Sequence, residues 1–148
     1  MSARLRKRLT PWQQSRLVYE LSYRRQHLVL TTAAAQLRQT EQRVAAMQEE
    51  LEKSARAISC EQQCMRDSDL LRPASMAQHR NAIIVQHRHR RNLLRLLQQQ
   101  REALILHRIT FENAQKKLHT IRTQLDDVEN QLKRLGEGYA EDAKVLDR

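Results

Sequence analysis

The chain has 148 residues, 27 Lys+Arg against 17 Asp+Glu, a formal charge of +10, and only 3% aromatic residues. It holds two glycines and two prolines, where average usage gives roughly ten and seven. This excludes sheet folds, which need turn residues at regular spacing, and the glycine-rich nucleotide folds; too few aromatics remain for an aromatic-centred core.

The stretch 1–14 is basic and has no apolar run, unlike a secretory leader. The longest apolar runs, such as Ala82-Ile83-Ile84-Val85, fall far short of the ~18 residues of a membrane span. A soluble, cytoplasmic protein is expected. Thr10 before Pro11 reads as an N-cap with proline at the first helical position. A first helix is predicted over about 12–66, a stretch without Gly or Pro. In it Leu30, Leu37, Val44, Leu51, Ile58 and Met65 recur every seven residues, with the small companions Ala33, Thr40, Met47 and Ser54 three later. Cys60 and Cys64 stand four apart on this helix and, with His79, lack the spacing of a metal site. No metal or cofactor is expected.

Asp, Ser and Pro cluster in Asp67-Ser68-Asp69-Leu70-Leu71-Arg72-Pro73-Ala74-Ser75, so residues 67–75 are predicted to form the turn. The second helix is predicted over about 76–135. One heptad position holds Ile83, Arg90, Leu97, Leu104, Phe111, Leu118, Leu125 and Leu132. Its partner holds Gln86, Leu93, Gln100, His107, Ala114, Ile121, Val128 and Leu135. Gly136 suits a helix end, leaving 136–148 as a flexible tail. A seven-residue apolar repeat held this long makes a left-handed coiled-coil seam. The reading is an all-α fold in which two long helices form an antiparallel coiled-coil hairpin, one domain over 1–148; an antiparallel dimer of straight helices satisfies the heptads almost as well. With one neighbouring helix per residue and polar seam positions at Gln86, Arg90, Gln100 and His107, a marginal coiled coil ordered by a partner is expected.

Charge is uneven. Between Leu70 and Arg101 stand seven arginines (72, 80, 88, 90, 91, 95, 101), three histidines and no acid. Arginine outnumbers lysine 21 to 6, which suits planar contact with carboxylate or phosphate. The block reads as a solvated helix face, a protein contact or a nucleic-acid contact. His87 and His89 point apart on a helix, and Gln98-Gln99-Gln100 reads as helix surface. A two-helix chain offers no cleft to gather a catalytic group, so no enzyme and no small-molecule substrate is expected.

The length, basic start, two glycine-poor helices and single turn, with the stretch Asp69-Leu70-Leu71-Arg72-Pro73-Ala74-Ser75-Met76-Ala77-Gln78-His79-Arg80 opening the second helix, resemble the stalk proteins of type III secretion. These are the FliJ proteins of flagellar export and the SctO proteins (YscO, HrpO, InvI) of injectisomes; the arginine- and glutamine-rich character looks closest to HrpO. The resemblance implies a non-enzymatic central stalk, cytoplasmic and peripheral to the inner-membrane secretion apparatus. It would enter the pore of a hexameric export ATPase, promote its assembly and activity, and couple it to the export gate, with secretion chaperones as further partners.

On that implication Arg4, Arg6, Lys7, Arg8, Leu9, Trp12 and Arg16, with Leu132, Lys133, Arg134 and Leu135 opposite, form the ATPase-binding end. Trp12 reads either as an interface anchor or as a cap on the open end of the coiled coil. Leu70, Leu71, Met76, His79 and Arg80 form the turn-end contact, where Leu70-Leu71 serves a partner or local packing. The alternative functions are a basic coiled-coil chaperone or escort and a nucleic-acid-binding protein.

Overall fold

The computed structural model describes residues 10–67 and 72–146, with side chains placed to residue 136. Among them all but Thr10 and Arg72 are helical. Helix α1 spans Pro11–Asp67 and α2 spans Pro73–Leu146. The two helices pack against each other, and there is no strand among the described residues.

Both helices start on a proline, whose missing N–H lies where the helix has no acceptor for it. Thr10 is the N-cap of α1: its Oγ1 accepts from Gln13 N at 3.3 Å, while its own N–H donates to Gln13 Oε1 at 3.0 Å. The pair forms a capping box, satisfying two end donors at once. At α2, Met76 N donates to Arg72 O at 3.0 Å, closing the first turn.

Two expected boundaries are corrected. Asp67, Pro73, Ala74 and Ser75 are helical, so the link is shorter than the turn predicted at 67–75, because Asp, Ser and Pro are all accepted at helix ends. Residues 68–71 lie outside those described. Helix α2 does not stop at Leu135 but runs to Leu146 through the expected tail 136–148. Gly136 has helical backbone, with no positive φ. A glycine inside a helix costs about 1 kcal/mol, and Glu141, Ala143 and Lys144 beyond it are good helix formers with no proline among them. Packing divides the chain into two compact units, residues 1–34 with 109–148, and residues 35–108. In a helix pair each residue meets only its neighbours across the seam, so nothing gathers one common core.

In the unit of residues 35–108 the contacts run Thr40 to His107, Ser54 to Gln86 and Glu61 to His79, an antiparallel order. Its seam buries Thr40, Ser54, Ile58, Leu93 and Leu97, with Leu37, Val44, Met47, Leu51 and Leu104 half-buried. In the unit of residues 1–34 and 109–148, Ala33, Ala114 and Val128 are buried. There Gln26 Nε2 donates across the pair to Ala114 O at 3.2 Å. Small seam residues bring the backbones close, and a side-chain amide fastens the gap.

Two predicted seam positions are exposed. Arg90 keeps its guanidinium in water, because burying an unpaired charge is costly and its long stem reaches out. Leu135 is 42% exposed; Glu129 already faces Arg16 near the start of α1, so little of α1 remains to cover it. The heptad also continues towards the N-terminus through Gln26, Tyr23 and Tyr19, all half-buried.

Candidate functional site

The unit that carries both chain ends brings part of the expected ATPase-binding set together. One turn of α1 carries Arg16, which bonds Glu20 Oε1 at 3.1 Å along its own helix. Across the pair its Nε stands 3.9 Å from Glu129 Oε1. Arg16, Glu129, Leu132 and Lys133 line a groove of about 370 Å³. Three of these four were expected from sequence. Glu129 was not, because an acid lying one residue past the seam position Val128 carries no periodic signal of its own. Glu129 makes the groove mixed in charge: a carboxylate between two cations, with Leu132 as its apolar wall.

The other members of the set do not line this groove among the described residues. Trp12 is 41% exposed, and Arg134 and Leu135 are exposed. Arg4, Arg6, Lys7, Arg8 and Leu9 lie outside the described residues. The same unit has an apolar stripe that the seam analysis missed. Val18, Leu21 and Leu28 are 59%, 46% and 68% exposed, and their spacing of three and seven puts them on the solvent side of α1. A second groove, about 470 Å³, lies beside Leu28 and is lined by Tyr23, Arg24, His27 and Leu28; the Tyr23 and His27 rings are tilted, 6.3 Å apart.

In the unit of residues 35–108, the expected turn-end set is divided too. Leu70 and Leu71 lie outside the described residues. Met76 is half-buried and Arg80 exposed. His79 is half-buried and its Nδ1 is bonded to Glu61 Oε2, so its polar edge is engaged across the pair. Cys60 and Cys64 are free and exposed. Among the described residues no three His, Cys, Asp or Glu side chains come together as metal ligands.

The seam of this unit holds two polar layers. Thr40 Oγ1 lies 2.9 Å from Gln36 O and 2.8 Å from His107 Nδ1. A hydroxyl has one proton, and a carbonyl can only accept. The threonine therefore donates to Gln36 O and accepts from His107 Nδ1–H, which fixes the histidine's tautomer when neutral. Thr40 is 2% exposed, so the layer is satisfied within the protein. One step further Ser54 Oγ lies 3.1 Å from Gln86 Oε1 and donates to it. No helix among the described residues is long and apolar enough to cross a membrane.

No family model matches the chain, and neither a curated protein nor a solved structure shows detectable similarity to it.

Proposed function

We propose that this chain is a non-enzymatic stalk of a type III secretion system. It binds the pore of the hexameric export ATPase, promotes its assembly and activity, and couples it to the export gate. It acts in the cytoplasm, peripherally at the inner-membrane apparatus. The ATPase contact uses the unit that carries both chain ends; the gate contact uses the unit that carries the link between the helices.

The observation that carries the reading is the groove of Arg16, Glu129, Leu132 and Lys133. It joins one turn of each helix in the unit expected to enter the ring, and it offers both charges and an apolar wall. Such a surface suits repeated contact with identical subunits, because exposed ion pairs are individually weak and exchange without a large barrier. Seam side chains are engaged with one another, through Thr40 with His107 and Ser54 with Gln86, so the outer faces are left for partners.

The test is stimulation of a hexameric export ATPase by the purified chain. Wild type raises ATP turnover at sub-stoichiometric amounts. Arg16→Glu combined with Lys133→Glu removes most of that stimulation while helix content by circular dichroism stays the same. Full stimulation by the double variant contradicts the assigned contact; no stimulation by the wild type contradicts the stalk reading.

A further inference from the structure

The arginines of the α2 segment 80–101 form a face of their own. Arg80, Arg88, Arg91 and Arg95 are exposed. On a helix of 3.6 residues per turn their positions fall within an arc of about 80°, over a rise of about 22 Å. Ile84 lies inside that arc and Leu94 about 40° outside it, towards the seam; both are 48% exposed. None of the four arginines has an ion-pair partner among the described residues: the ion pairs found there join Arg16, Lys53 and His79 to carboxylates.

The facing helix does not compensate this charge. Its segment 35–67 carries six acidic and five basic residues. Of the acids, Glu49 and Glu50 face Lys53 of their own helix, and Glu61 is taken by His79. In this unit the positive excess is therefore carried by α2, with Arg80, Arg88, Arg91 and Arg95 on the side turned away from the seam.

We infer that this face, from Arg80 to Arg95 with Ile84 among the arginines and Leu94 beside them, docks an acidic amphipathic helix of another protein. Charge complementarity selects an anionic occupant, and three observations narrow its class. Residues 72–101 contain no Phe, Trp or Tyr, whereas single-stranded nucleic acid is held on stacking platforms built chiefly from such rings. Ile84 and Leu94 have no counterpart in a duplex phosphate backbone, but, about 15 Å apart along α2, they match aliphatic residues about three turns apart on an acidic helix. A membrane-surface helix needs a broad apolar face turned to the lipid, whereas the exposed large aliphatics described between residues 80 and 95 are Ile84, Val85 and Leu94, set among arginines. A second copy is disfavoured because segment 35–67 is nearly neutral. Arginine suits this work, since its planar fork meets a carboxylate with two parallel hydrogen bonds. The inference is independent of the stalk reading, because its test involves no ATPase.

The experiment measures binding of the full-length chain by fluorescence anisotropy. The probes are a labelled synthetic helix with glutamates and two leucines on one face, a scramble of the same composition, a DNA duplex, and phosphatidylglycerol vesicles. The amphipathic peptide is expected to bind about tenfold more tightly than the scramble. Arg88→Glu with Arg91→Glu and Arg95→Glu weakens it about tenfold or more, and Leu94→Gln weakens it about threefold. Circular dichroism of each variant checks that the helices are intact. The inference is overturned if the scramble binds as well, if the duplex or the vesicles bind as tightly as the peptide, if the charge-reversed variant keeps its affinity, or if no probe binds.

Discussion

At the residue scale, hydrogen-bond accounting decides what the seam does. Thr40 and His107 occupy positions where apolar residues would strengthen the coiled coil, yet they form a closed layer: Thr40 donates to Gln36 O and accepts from His107 Nδ1–H. Such a layer fixes register, because slipping the helices leaves a buried donor or acceptor unpaired. Thr40→Val should therefore cost about 1 kcal/mol or more, since it strands His107 Nδ1–H in a half-buried position. Thr40→Val with His107→Leu should recover that loss, since removing both partners leaves nothing unpaired. Urea denaturation of the two variants checks this; a double variant less stable than the single one contradicts the account. The polar seam positions Gln86, Gln100 and His107 were visible in the sequence, but their partners were not. Periodicity says which residues face the other helix and nothing about which of them meet.

At the scale of elements, the heptads carried most of the fold. Leu30, Leu37, Val44, Leu51, Ile58 and Met65 are each buried or half-buried, as are Ala33, Thr40, Met47 and Ser54. Periodicity failed where residue type and seam position part company. Arg90 has the position without the chemistry, and Tyr19, Tyr23 and Gln26 extend the seam without the aliphatic signal. It failed also at helix ends, where Gly136 looks like a terminator and is not one. A Cβ built on Gly136 meets nothing within 4 Å. Gly136→Ala should therefore stabilise α2 by up to about 1 kcal/mol, by helix propensity. Loss of stability on this substitution would instead place Gly136 in the left-handed conformation of a helix cap. At the other end Thr10→Ala opens the capping box with Gln13 and should cost about 1 kcal/mol, read as a lower melting point. Of the candidate site, the sequence named Arg16, Leu132 and Lys133; it did not name Glu129, nor the exposed stripe Val18, Leu21 and Leu28, whose side of α1 follows only once the seam is placed.

At the scale of the molecule, burial is thin. Only Ala33, Ile58, Leu93, Leu97, Ala114 and Val128 are buried among the apolar residues described, and no large side chain is wholly enclosed. Each buried side chain contributes about 1.5–3 kcal/mol at most, against the entropy of ordering every residue of two long helices. The isolated protein should melt broadly and below about 65 °C, the upper end for ordinary domains, by circular dichroism. A sharp transition well above that would show a seam stronger than these contacts provide. Stability of this order suits the proposed role, in which the groove of Arg16 and the arginines of α2 meet partners that complete the ordering.

The central claim is that one chain folds back on itself, with Thr40 opposite His107, and works through its outer surface. The most direct measurement places cysteines at residues 40 and 107, with Cys60→Ser and Cys64→Ser removing the native thiols, and joins them with a short thiol-to-thiol crosslinker. The account predicts a crosslinked monomer on a denaturing gel at every protein concentration. A covalent dimer in its place would mean that the helices pair between chains, as an antiparallel dimer, and would contradict the hairpin.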